Sequence, residues 1–435
     1  MSKAKIKNSQ NHDSSDLHDD HDSTQKNQSN HMNQKNHSSD KWEIPSDWEV
    51  RNVGEICDFI VPGRNKPIFF DGEIPWITTP DLLNNSRVFK SKIDLKITKE
   101  EAKKIGSKIV PKDSVIMSCV GDLGLLSISG CEIVINQQLH AFIPHDRIDY
   151  RFLFFALSIQ KRYMERIATK TAVPYLNKDN CNSIPIFLPP LPEQTAIAQL
   201  LSTWDNAITK TQALIAQKEQ RKKWLMQNLL TGKMRLKGFD GEWEEVRLDD
   251  VSEIDKRTLS NQTPQDYSFQ YLSLSDVDAG VAEIKKEKLL FKDSPSRARR
   301  IVKRGDVLLA TVRPNLQGFV IIRDDVKDLI ASTGFAVISC IKINNEFLYQ
   351  FLFTKNLMNQ IESFLTGSNY PAINSSDVKN LKIPFPDKEE QTAIAQVLRA
   401  ADKEIQLLKT KCGKLKEQKK GLMQVLLTGK KRLII

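Results

Sequence analysis

The sequence has no long apolar run. Its most hydrophobic stretch, Phe152 to Ile159, is about half of the roughly 18 residues that a membrane helix requires, and the N-terminus lacks the apolar core of a secretory signal. Cysteine is sparse: Cys57, Cys119, Cys131, Cys181, Cys340 and Cys412 form no CxxC pair or other metal-ligand spacing, which fits a reduced, cytoplasmic setting. Catalytic signatures are missing too. The Gly-Lys pairs at 232 and 429 have Gln227 and Gln424 where a phosphate loop needs its first glycine, no GxGxxG follows a strand, and no HExxH is present. Leu188-Pro189-Pro190-Leu191 lacks both the polar first residue and the aromatic last residue of an amino-methyltransferase tetrapeptide. Outside the first 40 residues the histidines are His140 and His145, neither with a Ser or Cys partner in sequence, and both read as structural or surface groups. Catalysis within this chain is not expected.

What is present is a chain of 435 residues, long enough for two or three domains. Hydrophobic residues at 40% and charged residues at 27% are the proportions of an ordinary globular protein. The net charge of +10 favours a polyanionic partner, nucleic acid before anionic membrane. Residues 1–42 are expected to be a disordered polar tail, because Ser, Asn, Gln, His, Asp and Lys fill 34 of the first 40 positions and little apolar surface remains to offset the entropy of ordering. Five histidines there alternate with aspartates, a composition suited at most to adventitious metal binding. The first 40 residues have five lysines and six aspartates, so the 395 that follow carry +11.

The strongest signal is an internal repeat. Glu193-Gln194-Thr195-Ala196-Ile197-Ala198-Gln199 recurs letter for letter from Glu390 to Gln396, an offset of 197, and Leu225 to Lys233 recurs as Leu422 to Lys430 at the same offset. The element between is therefore of one fixed length and occurs twice. Residues 197, 201, 204, 208, 211, 215, 218, 222, 225 and 229 hold an apolar stripe in alternating steps of four and three, matched by 394, 398, 401, 405, 408, 412, 415, 419, 422 and 426. A spacing of 3.5 is a coiled-coil seam, so two long helices are expected to pair with each other in antiparallel fashion. Lys218, Lys222 and Lys419 interrupt the stripe and read as solvated edges of the seam, with a face toward a partner subunit as the alternative. Pro192 suits the first turn of the first helix, Asp387 with Glu390 reads as a capping box for the second, and Gly232 and Gly429 stand at left-handed C-cap positions.

The segments between the helices share a frame rather than a sequence. Trp48, Val53 and Ile56 match Trp243, Leu248 and Val251 in spacing. Each unit then has a β-like run ending in Asp81 or Asp276, an apolar strand near 115–118 or 307–310, and a Tyr-bearing turn leading through an Ile-Pro strand into the long helix. Short β-runs broken by Gly and Pro, with helical stretches at Phe152 to Ile167 and Phe347 to Phe364, predict mixed α+β units. The division is 1–42 tail, 43–190 first unit, 191–237 central helix and linker, 238–386 second unit, and 387–435 C-terminal helix.

Two variable units, each followed by a Glu-Gln-initiated helix that ends in Leu-Leu-Thr-Gly-Lys, closely resemble the specificity subunit of type I restriction-modification systems over residues 43–433. The second copy departs from the family's Pro-Pro-x-x-Glu-Gln form, with Asp387-Lys388-Glu389 where the first has Pro-Leu-Pro. The resemblance implies that each unit is a target-recognition domain for one half of a bipartite, asymmetric double-stranded DNA site. The helices would hold the units apart and bind methyltransferase (modification) subunits, with restriction/translocase subunits completing the complex. It implies no cofactor on this chain, S-adenosylmethionine, ATP and Mg belonging to the partners, and no membrane. A 38-residue helix spans about 57 Å, or about 17 base pairs. Two other classes remain open: a coiled-coil interaction scaffold, and a detached specificity chain for another DNA-modifying enzyme.

Major-groove discrimination favours Arg or Lys on guanine and Asn or Gln on adenine, while hydroxyl and basic groups anchor phosphates. Candidate DNA contacts in the first unit are Arg64, Lys66, Thr78, Thr79, Lys170 and Tyr175. Those in the second are Arg299, Arg300, Arg313, Asn315, Asn369 and Tyr370, with Arg313 and Asn315 beside Pro314 foremost.

Overall fold

A computed structural model of the chain describes residues 43–63, 65–82, 86–278, 280–365 and 371–433. The expectations for residues 1–42 and for Arg64, Asn369 and Tyr370 lie outside the described residues. The two apolar stripes become two 39-residue helices, Leu191–Leu229 and Lys388–Leu426, each about 58 Å long at 1.5 Å per residue. They pair antiparallel, since Asp205 meets Lys419, Lys218 meets Glu404 and Lys222 meets Asp402 across the seam, each at 2.6 Å. All twenty stripe positions are buried or half-buried.

Each helix starts on one unit and ends in the other. Ile197, Ala198 and Leu201 share a core with Leu426 and Leu427 from the far end of the second helix, together with Trp48 and Phe152. Ile394, Ala395 and Leu398 share the other core with Leu229 and Leu230. Gly232 and Gly429, at φ +70° and +72°, take the left-handed turn that ends each helix.

The repeated Glu-Gln pair fastens these junctions. Glu390, 1% exposed, accepts from Arg235 Nε and Nη2 at 2.6 Å each and from Trp243 Nε1 at 2.9 Å. Glu193 repeats this with Arg432 Nη2 at 2.6 Å and Trp48 Nε1 at 3.2 Å. Gln194 accepts from Asp149 N at 3.0 Å and donates to the carbonyls of Arg147 and Pro189. Gln391 accepts from Asn344 N at 2.7 Å and donates to Pro386 O. The expected capping box at Asp387 is absent: that residue stands at the N-cap with no side-chain capping bond, because Glu390 is held by Arg235 and Trp243 instead.

Within each unit, the entering and leaving strands pair antiparallel beside the rod, Glu49–Asn52 with Pro185–Leu188 and Glu244–Arg247 with Lys382–Phe385. In the first unit a five-stranded sheet runs in the order Cys57–Ile60, Leu139–Pro144, Val115–Ser118, Leu126–Ser129, Arg87–Val88. A second sheet lies in the order Lys96–Ile97, Ile74–Ile77, Val134–Ile135. The second unit repeats the plan with two four-stranded sheets. One is Ser252–Ile254, Phe335–Cys340, Val307–Ala310, Phe319–Ile321; the other is Lys288–Leu290, Ser268–Leu272, Leu329–Ser332, Ala298–Val302. The α+β class with two units in pseudo-repeat is therefore observed. One helix per unit, Tyr150–Ser158 or Asn345–Phe351, lies against the rod.

The reading of all three stripe lysines as solvated edges is corrected. Lys419 is 5% exposed, bonded to Asp205 and 4.9 Å from the Phe155 ring. Lys222 and Asp402 are the repeat of that pair, but Gln350 stands where the first unit has Phe155, and its Nε2 donates to Asp402 at 2.7 Å. A polar neighbour keeps that copy half-exposed, whereas the phenyl ring seals the other. Burial raises the Asp205 carboxyl above its usual value despite the lysine. We expect Lys419→Ala to destabilise the chain by about 3 kcal/mol, since it leaves a buried carboxylate alone. Lys419→Met with Asp205→Leu should restore most of the loss in urea denaturation; equal destabilisation by both variants would contradict this account.

Candidate nucleic-acid interface

Parallel pairing places loops from distant chain segments side by side. In the first unit Ile74–Ile77 runs parallel to Val134–Ile135, so Thr78–Asp81 and Asn136–Gln138 emerge at the same end. The hairpin turn at 119–124 joins them, because Cys119 N donates to Gln138 O at 2.9 Å. The turn at 169–176 closes the group through Leu176 N to Cys119 O, 2.8 Å, and Gly121 N to Pro174 O, 2.9 Å. Asp81 fixes the first loop by accepting from Thr78 N and Oγ1 at 2.8 and 2.7 Å. Between the loops opens a cavity of about 300 Å³ whose lining includes Lys66, Trp76, Thr78, Asn136, Gln137 and Gln138.

The second unit builds the same frame. Ser268–Leu272 runs parallel to Leu329–Ser332, Asp276 accepts from Ser273 N at 2.8 Å, and Thr311 N donates to Gly334 O at 2.8 Å. Ile373 N meets Thr311 O at 2.9 Å, and Arg313 N meets Pro371 O at 2.8 Å.

The sequence candidates divide accordingly. Lys66 and Thr78 line the cavity, and Thr79 Oγ1 donates to Gln138 Oε1 at 3.2 Å. Lys170 is exposed on the neighbouring turn, which Thr169 and Tyr175 close through their backbones, and Tyr175 is 43% exposed. Arg313 and Asn315 are exposed on the hairpin turn of the second unit. Arg313 at φ +50° and Gln317 at φ +53° both hold the left-handed conformation. Arg299 lies 4.9 Å from the Phe291 ring and donates to Ala298 O at 2.8 Å. Arg300 is turned inward, with Nη2 2.9 Å from Asp255 Oδ2 and only 19% of its side chain exposed. The structure thus brings Lys66, Thr78, Thr79 and Tyr175 to one face and Arg313 with Asn315 to another, and it engages Arg300 in an internal ion pair.

Sequence reasoning missed Asn136, Gln137 and Gln138. Asn136 Nδ2 donates to Gln138 Oε1 at 3.3 Å, and Gln138 N donates back to Asn136 Oδ1 at 3.2 Å. Three consecutive amide side chains after the apolar run Ile133 to Ile135 were the available signal. His140 lies two residues further on, 1% exposed between Phe59 and Phe142. Burial pushes its imidazole down to about 4, with the nearby Lys178 cation adding to the effect.

Two matched loop faces on one rod define a two-headed recognition protein. The profile of the type I restriction modification DNA specificity domain matches residues 45–219 and again 240–417, and the chain belongs to that family. It is 27% identical over 404 residues to the type I restriction enzyme MjaVIII specificity subunit of Methanocaldococcus jannaschii, covering 88% of this chain and 93% of that one. The EcoDI specificity subunit of Escherichia coli is 21% identical over 281 residues, 57% of this chain and 62% of that one. In fold, the chain resembles the crystal structure of the type I restriction-modification S subunit from M. genitalium, with a TM-score of 0.56 and 15% identity over 87% of this chain and 96% of that one. Among the described residues no helix is long and apolar enough to cross a membrane.

The buried His140 generates a pH test. Its folded value lies below the unfolded 6.5, so the unfolded chain takes up the proton first and acidification favours unfolding. The His140 contribution to stability should be unchanged above pH 6.5 and fall by about 3 kcal/mol in all between pH 6.5 and about 4. His140→Ala, which copies Ala336 at the matching position of the second unit, should flatten that slope in urea titrations at stepped pH, whatever its effect at pH 7.

Proposed function

We propose that this chain is the DNA-binding specificity subunit of a cytoplasmic type I restriction-modification complex. Each unit recognises one half of a bipartite, asymmetric double-stranded sequence, and the rod sets the unread gap. The chain itself is non-catalytic. It directs methyltransferase subunits that carry S-adenosylmethionine, and restriction/translocase subunits that use ATP and Mg, to the selected site. The observation that carries this reading is the fixing of two dissimilar loop faces at opposite ends of one stiff helical pair. A rod of about 58 Å matches about 17 base pairs, so two short sites on one duplex can be touched together. The net charge of +10 supplies the attraction to phosphate.

Purified alone, the chain should transfer no methyl group; co-expressed with cognate modification subunits, it should give methylation at a single split motif, read by methylome sequencing. Methyl transfer by the isolated chain would refute the division of roles. Duplex affinity of the complex should fall steeply with added salt. Insertion of one helical turn at facing positions of both long helices should lengthen the tolerated gap by about two base pairs, from about 6 Å of added rise. An unchanged gap in a site selection would eliminate the rod as the ruler.

A further inference from the structure

The two faces share a backbone frame and exchange one feature within it. Gly121 and Arg313 occupy the same place: each follows a bridging valine, Val120 to Tyr175 and Val312 to Ala372. Each donates its N–H to a proline carbonyl, and each has positive φ, +77° and +50°. Gln138 and Gly334 also share a place, since each carbonyl accepts from the residue two before that glycine or arginine, Cys119 or Thr311. The first unit therefore combines Gly121 with Gln138, and the second combines Arg313 with Gly334. At two adjacent positions each unit carries one long polar side chain, and it is the other one.

Neighbouring residues follow the exchange. Thr79 donates its hydroxyl to Gln138 Oε1, and Asn136 Nδ2 supports the same oxygen. The second unit has Leu274 in the place of Thr79, and a Cβ on Gly334 would lie 2.6 Å from Leu274 Cδ1. A side chain at 334 would have to displace the apolar Leu274, whereas the first unit holds its glutamine with two polar neighbours. The strain points the same way. A left-handed backbone is costly for arginine and free for glycine, and the first unit demonstrates that glycine serves there. Arginine at 313 thus carries a backbone cost that glycine would not.

We propose that Gln138 and Arg313 are the specificity-determining residues of the two half-sites. The Gln138 carboxamide reads an adenine through its N6 and N7 edge, the Thr79 hydroxyl rotating away as the N6 amino group arrives. The Arg313 guanidinium reads a guanine through O6 and N7. These are the major-groove edges that a carboxamide and a guanidinium match with two bonds each. This assignment rests on the DNA-reading function proposed above and deepens it, from two faces to two residues and two bases.

The test uses the full chain assembled with its methyltransferase subunits and a library of randomised duplexes. Each variant takes the glycine that the other unit already has at that place, so both backbones are known to be tolerated. Gln138→Gly should relax one adenine position in one half-site by about 10- to 100-fold and leave the other half-site unchanged. Arg313→Gly should relax one guanine position in the opposite half-site by a similar factor, and its melting temperature should be no lower than the parent's, because strain is relieved. Binding weakened uniformly at every position, or both motifs left intact, or relaxation at bases other than these, would overturn the assignment while leaving the subunit's function standing. A parent complex with no split motif would instead overturn the function on which the assignment rests.

Discussion

A carboxylate buried at the base of each unit holds the architecture together. Glu390 lies where three chain segments meet: the start of one long helix, the stretch just past the end of the other, and the tryptophan that opens the globular unit. Removing such a charge from water is unfavourable unless its oxygens are fully engaged, and here two guanidinium bonds and an indole N–H engage them. Glu193 makes the same arrangement with Arg432 and Trp48. The glutamine that follows each glutamate turns toward the unit and ties the start of its rod-facing helix. Adjacent residues of one motif thus join rod to rod and rod to unit.

That division separates what must stay constant from what can vary. The Glu-Gln fasteners lie in the repeated segments at the helix ends and the seam runs between those ends, whereas the loop faces lie at the far ends of parallel strand pairs, beyond separate small cores formed around Ile77 and Ile135 or Leu272 and Ala331. A change in the loops at 136–138 or 313–317 leaves the seam untouched. Even within the rod, equivalence is incomplete. Lys419 is sealed beneath Phe155 while its counterpart Lys222 lies beside Gln350, so the two halves differ wherever a unit's own side chains reach the seam.

The rod was legible in the sequence because a stripe at spacing 3.5 and two repeated segments, one of them letter for letter, report local geometry, and the stripe positions fell inside the seam. Its lysines were misread because a cation at such a position looks solvated until its partner is known, and Asp205 is 214 residues from Lys419. Glu390 was read as a capping residue for the same reason: the local spacing fitted, but Arg235 and Trp243 compete for its carboxylate from 155 and 147 residues away. Among the candidate recognition residues, Arg313 and Asn315 stood out beside a proline after an apolar strand. Gln138 did not, because its setting depends on Thr79 and Cys119, which only the parallel pairing of Ile74–Ile77 with Val134–Ile135 brings near. Arg300 was chosen for its charge, and its inward pairing with Asp255 follows from strand register, which the sequence does not declare.

The return of Arg432 to Asp47 and Glu193 makes the polypeptide a closed ring in space, although its backbone is linear. Within such a ring the two units have no intrinsic first or second. A permuted chain, opened in the short link near 238–242 and joined from 433 to 44, would present the same side chains to the same partners. The orientation of an asymmetric protein of this kind on its ligand is therefore set by what each unit recognises, and not by the order in which the ribosome makes them.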